Sequence, residues 1–233
     1  MRTSALLLLA FAGNSFAQTA VVESPNSQIK VTISDENSTP SYAISFKNKP
    51  ALNASRLGFE FKTQAAFSDG FKITHVKQQS VNTQWQQPWG ERQTVTDKHN
   101  EVAVTFAKNE PNSATYTVRF RAFDSGVGFR YEVPKQAGFE QTHITKELTE
   151  FAINNNNNAT AWWIPARGWN RYEYVYNTTA LNDVPLAHTP FTLKTNDGTH
   201  ISIHEAALVD YAGMVLNQRR PGTFNADLTP WSD

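Results

Sequence analysis

Phe191-Thr-Leu-Lys-Thr-Asn-Asp-Gly-Thr-His-Ile-Ser-Ile-His-Glu205 reads as two short strands folded back on a tight turn. Apolar side chains alternate with polar ones on each arm, and Asn196-Asp197-Gly198 supplies the positive φ that a hairpin needs at low cost. On the second arm a period of two puts Ile201, Ile203 and Glu205 on one face and His200, Ser202 and His204 on the other. The carboxylate of Glu205 is therefore expected to point inward. An ionised carboxylate taken out of water is costly unless it is paired, hydrogen-bonded or bound to a metal. Glu205 is thus a candidate site residue, against the plainer alternative of a strand end that has already reached solvent. Zinc-protease chemistry is excluded, because a second His would be needed three residues after the Glu and position 208 is Leu. His200 and His204 lie about 13 Å apart at roughly 3.3 Å per residue, too far to chelate one ion, so they read as polar surface or hydrogen-bonded groups.

The same pattern recurs along the chain. Gln28 to Ser34, Ser41 to Lys47, Phe71 to Ser80, Val102 to Phe106, Tyr116 to Phe123 and Gly128 to Val133 are alternating runs. Turn-forming groups such as Asn48-Lys49-Pro50, Asp69-Gly70 and Asp124-Ser125-Gly126 separate them. Short strands at this spacing predict an all-β, mostly antiparallel sandwich or barrel. Helix is scarce: Glu147 to Ile153 is the one place where a short helical turn is expected, and no window sustains a 3.6-residue apolar stripe.

Met1-Arg2, the apolar run Ala5 to Ala12 and the small-residue site Ser15-Phe16-Ala17 have the three parts of a secretory signal, with cleavage expected after Ala17. The mature domain would span residues 18–233 and be exported, periplasmic or secreted. No later segment approaches the roughly 20 apolar residues that span a bilayer. The chain of 233 residues has no Cys, so neither disulfides nor a thiolate nucleophile is available and stability must come from the core. Its 21 Lys plus Arg balance 21 Asp plus Glu without a basic stripe, which excludes the electrostatic footprint of a nucleic-acid binder.

Asn154 to Asn158 is a polar insert that reads as a solvated loop. The densest aromatic stretch follows it, with Trp162, Trp163, Trp169, Tyr172, Tyr174 and Tyr176. Flat rings with a polar handle suit both a half-buried core and a sugar-stacking surface. Composition leaves both readings open, and Trp162, Trp163 and Trp169 are the candidate sugar contacts. No Gly-x-Ser-x-Gly elbow, phosphate-cradling loop or EF-hand spacing is present. The acidic residues Glu91, Asp97, Glu101, Glu173, Glu205 and Asp210 are scattered, with no partner that spacing identifies.

The order of several short motifs carries more than any one of them. They include Ser55-Arg-Leu-Gly58, Trp89-Gly90-Glu91, Phe120-Arg-Ala-Phe-Asp124, Gly126-Val-Gly-Phe-Arg-Tyr131 and Thr160-Ala-Trp-Trp-Ile-Pro-Ala166. Arg171-Tyr-Glu-Tyr174, Ala187-His-Thr-Pro190 and Ser202-Ile-His-Glu-Ala-Ala-Leu208 follow in turn. This succession resembles the N-terminal domain of glycoside hydrolase family 97, exported bacterial α-glucosidases and α-galactosidases. The resemblance covers essentially all of residues 18–233. It implies a β-super-sandwich of the galactose-mutarotase-like kind, followed in typical members by a (β/α)₈ barrel that carries the catalytic carboxylates. It also implies an active-site calcium ion held by barrel glutamates and by one glutamate of the N-terminal domain, which by motif match is Glu205. The implied substrate is an α-linked oligosaccharide, and the implied partner is the catalytic barrel of the same or a split gene product. On this resemblance the barrel residues lie outside the 233 residues, so the chain is expected not to catalyse alone. A free-standing carbohydrate-binding module and a vestigial structural fragment are the alternatives.

Overall fold

Thr115–Phe123 shows how the domain is built, because its side chains alternate along its whole length between solvent and core. Tyr116, Val118, Phe120 and Ala122 are fully buried while Thr117, Arg119 and Arg121 face outward. A computed structural model describes residues 17–154, 157–166, 168 and 171–230. The leader expected over residues 1–17 lies outside them apart from Ala17. In chain order the strands are β1 (Thr19–Glu23), β2 (Ile29–Ser34), β3 (Ser41–Phe46), β4 (Lys49–Arg56), β5 (Phe59–Phe61), β6 (Phe71–Gln86), β7 (Thr94–Lys108), β8 (Thr115–Phe123) and β9 (Gly126–Glu132). They continue as β10 (Ile144–Glu147), β11 (Glu150–Ala152), β12 (Thr160–Trp163), β13 (Asn177–Ala180), β14 (Leu186–His188), β15 (Phe191–Lys194), β16 (His200–Ile203), β17 (Met214–Arg220) and β18 (Thr223–Leu228). The helices among the described residues are two three-residue 3₁₀ turns, so the expected all-β class is observed.

Every strand pair is antiparallel. β1-β2-β3-β4 forms one sheet and packs over β6-β7-β8-β9. Tyr42 crosses between the layers to sit 5.5 Å from Phe120 and 5.3 Å from Phe129, ring centre to ring centre. Phe67, Phe71, Phe106 and Tyr116 stack in the same interior. A third sheet, β11-β18-β17-β14, continues from the edge of β4 through the bridge between Leu52 and Ile153. Against it lies the fourth, β13-β12-β15-β16, with Phe191 and Phe224 in contact at 5.0 Å. The small β10-β5 pair closes one end. Apolar inner faces thus meet in one continuous core, the dominant source of stability for a chain without disulfides.

Two sequence expectations need correction. The segment Glu147 to Ile153 contains no helical turn: it is the end of β10 followed by β11, whose three residues are all buried and pair with β18. A strand covered on both faces loses its alternation and cannot be told from a short apolar helix by period. The strands expected over Phe71 to Ser80 and Val102 to Phe106 are parts of a much longer ribbon, in which β6 and β7 stay paired out to Gln86 and Thr94. The outer half is largely exposed on both faces and mostly polar, and Val81, Trp85 and Val95 are too sparse there to mark two strands. Side-chain bonds across the strands, Ser80 to Asn100 at 2.7 Å and Gln86 to Thr94 at 2.8 Å, supplement its backbone ladder there.

Candidate functional site

The hairpin of β15 and β16 forms as read, with Gly198 at φ +89 in its turn and Phe191 opposite Ile203. Alternation holds through the buried Ile203, and there the strand stops. Glu205 therefore does not occupy a strand position. It opens the loop 204–213 that leads to β17 and is half-buried at the rim of the sandwich. Its inward direction has a different cause from the one the period suggests: Oε1 accepts the backbone N–H of Met214 at 2.8 Å and Oε2 accepts the Thr189 hydroxyl at 3.4 Å. Among the described residues no Lys or Arg forms an ion pair with it. Each oxygen keeps lone-pair capacity for a further partner.

A groove of about 550 Å³ lies over this carboxylate, lined by Tyr172, Thr189, Pro190, Ser202, His204 and Leu208 as well as Glu205. His204 turns its Nδ1 to the Glu205 carbonyl at 2.9 Å. His188, at the end of β14, is fully buried with neither ring nitrogen hydrogen-bonded among the described residues, and the Tyr172 ring covers it at 4.1 Å. Around the groove the surface is unusually apolar: Val175 is 89% and Val209 79% exposed, and Tyr172, Tyr176, Leu208 and Tyr211 are also open to solvent. Tyr172 and Leu208 of this set line the groove itself, and large apolar side chains left exposed are a feature of surfaces that bind another body.

Glu147, which sequence reasoning did not single out, is the second acidic group here. Burial is the main cause that pushes its pKa above the usual carboxylate range, hydrogen bonds from Thr149 and Tyr211 work against the shift, and the nearby charge of Glu205 adds to it. Nothing in the run Ile144-Thr-Lys-Glu147 distinguishes it from a surface charge.

The tryptophans separate. Trp162 and Trp163 are neighbours on β12 and so face opposite ways: Trp163 is in the core, 6% exposed, with its indole N–H donated to Thr179 at 3.1 Å. Trp162 is half-buried beside His200, their rings nearly parallel at 6.2 Å. Trp169 lies outside the described residues. The described part of the aromatic stretch thus provides one partly open indole face and no shared platform.

A calcium ion takes six to eight oxygens, and its fit can be judged from the donors present. The Glu205 carboxylate and the hydroxyls of Thr189 and Ser202 are hard oxygen donors in one groove. Among the described residues no three His, Asp or Glu side chains gather to hold a metal. These three donors fit calcium in kind and fall short of the six to eight oxygens it takes.

Fold and groove together define an antiparallel β-sandwich domain that presents an acidic, apolar-rimmed face. Residues 22–231 match the glycosyl-hydrolase 97 N-terminal family model, and the chain belongs to that family. A structure of a glycoside hydrolase family 97 enzyme from Pseudoalteromonas sp. strain K8 in complex with panose is 75% identical, with a TM-score of 0.88 over 91% of this chain and 32% of that one. The complex of such an enzyme from the same strain with acarbose matches equally well. A retaining alpha-galactosidase of Bacteroides thetaiotaomicron is 20% identical over 205 residues, 83% of this chain and 30% of that protein. The chain thus spans about a third of the length of these relatives.

Proposed function

We propose that this domain forms the N-terminal part of an exported α-glycosidase acting on α-linked, starch-derived oligosaccharides, and that Glu205 supplies one ligand to a calcium ion at its junction with the catalytic body. The observation that carries the reading is the Glu205 carboxylate, aimed by the Met214 amide and Thr189 and left without a basic partner beneath an apolar rim. Support comes from relatives three times as long, one of which has been solved with panose and with acarbose. When bound, calcium would supply a fixed positive charge that polarises a nearby oxygen. The part of this chain is to place one carboxylate without spending its lone pairs on a Lys or Arg, and to exclude water around it with Tyr172 and Leu208.

Beside the groove Glu147 is committed to Thr149 and Tyr211, so it does not give Glu205 a free second carboxylate for glycoside hydrolysis. Residues 18–233 alone should therefore give no turnover of nitrophenyl α-glucoside. Joined to the remaining two-thirds of the Pseudoalteromonas enzyme, they should restore calcium-dependent activity. In that chimera Glu205→Gln should weaken calcium at least tenfold, about 1.4 kcal/mol, while leaving the melting temperature of the domain unchanged. Equal calcium affinity in the two forms would remove Glu205 from the shell.

The apolar rim makes its own prediction. Residues 18–233 alone should self-associate and bind a hydrophobic dye, and Val175→Asp with Val209→Asp should suppress both, because each valine is almost wholly exposed. Sedimentation of a monodisperse, dye-free wild-type domain at high concentration would argue that this face has no partner.

A further inference from the structure

Loop 204–213 contains no strand or helix, yet Glu205 at its start must be held in place if it is to serve a ligand. Its two ends are fixed: Glu205 Oε1 takes the Met214 N–H, and Thr229 donates its N–H to the Gly213 carbonyl at 2.8 Å. Between them the chain runs through the exposed Leu208 and Val209 and through Asp210, a non-glycine residue at φ +50. Such a segment has little of its own to keep one conformation.

The contact that pins it is Tyr211, whose hydroxyl donates to Glu147 Oε2 at 2.9 Å. Glu147 is not free to follow the loop. Its Oε1 accepts the Thr149 hydroxyl at 2.6 Å, and Thr149 is 1% exposed. Tyr131 on β9 lies 2.7 Å from the same hydroxyl, and its own oxygen accepts the Gly58 N–H at 3.1 Å. Donors therefore run in one direction, from Gly58 to Tyr131 to Thr149, and end on the carboxylate. The Tyr131 ring is in turn packed on Phe59 at 4.4 Å. Tyr211 is thus tied to the core through groups on β10 and β9 and on the connections after β10 and before β5.

The geometry points to a latch: the Tyr211–Glu147 hydrogen bond holds loop 204–213 against the core and so fixes where the Glu205 carboxylate sits. Glu147 and Tyr211 are positioning residues and not ligands. The latch itself needs only the contacts above; its bearing on cation binding rests on the reading of Glu205 as a calcium ligand.

The Met214 amide offers a direct test, because its proton is accepted by the Glu205 carboxylate. Hydrogen exchange on the full chain should show Met214 exchanging about tenfold faster in Tyr211→Phe and in Glu147→Ala, with β7 and β8 amides unchanged, as expected for loss of one hydrogen bond's worth of local stability. Glu147→Gln, which keeps an acceptor for Tyr211, should recover most of the protection. In the chimera with the remaining two-thirds of the Pseudoalteromonas enzyme, terbium, used as a calcium substitute and read by Trp- and Tyr-sensitised emission, should bind about fivefold more weakly to Tyr211→Phe than to wild type, since affinity follows ligand placement. Unchanged Met214 exchange in both Tyr211→Phe and Glu147→Ala would overturn the latch. Faster exchange in those variants, combined with terbium binding that Glu205→Gln leaves unaltered, would support the latch and remove the ligand role of Glu205.

Discussion

Gly58→Ala should lower the melting temperature by about 10 °C or more, from a loss of about 4 kcal/mol at roughly 2–4 °C per kcal/mol for a domain of this size. Gly58 has φ +137, a backbone state that residues with a Cβ rarely adopt, and forcing Ala into it costs about 1–3 kcal/mol. A Cβ there would also overlap the Phe67 carbonyl oxygen, which is backbone and cannot rotate away. Relief requires opening the reciprocal bonds between Phe59 and Phe67, both at 2.9 Å, which hold the edge of the aromatic core. It would also move the Gly58 N–H from Tyr131, the first donor in the chain that ends on Glu147. Gly128→Ala is the control, because a Cβ at that position meets nothing within 4 Å and the backbone is not left-handed. Thermal melts in which Gly58→Ala stays within about 3 °C of wild type, less than the roughly 2 kcal/mol that strain alone should cost, would show that β5 can shift freely.

How much of this was legible in the sequence follows from which forces leave a period. Strands with one wet face announced themselves: β2, β3, β8 and β15 fall where alternation put them, to within a residue at each end, while β16 stops two residues short of Glu205. β11, buried on all three residues, and the outer β6–β7 ribbon, wet on both faces, offered no contrast between a buried and a wet face and were misread or cut short. The direction of Glu205 was anticipated for the wrong local reason. Period two ended at Ile203, and the inward turn comes from a loop bond to the Met214 amide nine residues away. Glu147 was invisible, because beyond the local Thr149 its setting comes from Tyr211 of a distant loop and, through Thr149, from Tyr131 on β9, which only the fold brings together. The aromatic stretch showed that rings were needed, but strand alternation decided that Trp163 packs inside while Trp162 faces the other way.

Glu101→Gln should destabilise the domain by about 2 kcal/mol at pH 7, and the difference should vanish in acid. Glu101 is 2% exposed on β7, on the outer side of the sheet, where its carboxylate accepts from Gln79 at 2.8 Å, Arg121 at 2.8 Å and the Arg119 guanidinium. Arg119 also grips Glu132 through two nitrogens, at 2.7 and 2.9 Å. Removing the Glu101 charge leaves Arg121 without its carboxylate, but that arginine is 43% exposed and can rehydrate, and Arg119 keeps Glu132. The loss is therefore set below the 3–5 kcal/mol typical of a fully buried pair. Burial pushes the Glu101 pKa up, and the hydrogen bonds from Arg121 and Arg119 outweigh it, so the group titrates below its ordinary 4.5. The Arg119 hydrogen bonds likewise bring Glu132 down to about 2. A carboxylate with a depressed folded-state pKa contributes its full stability above the unfolded value and loses it as pH falls through the folded one. Wild-type stability should thus begin to fall near pH 4.5 and continue down toward about 2, because the unfolded chain binds more protons in that window. Glu101→Gln lacks one of these groups, so its stability should fall less steeply and the two curves should converge in acid. Urea midpoints measured from neutral pH down into this range will decide the matter. A gap that stays constant with pH would mean that Glu101 acts through packing and hydrogen bonding alone, and that its charge contributes nothing to the fold.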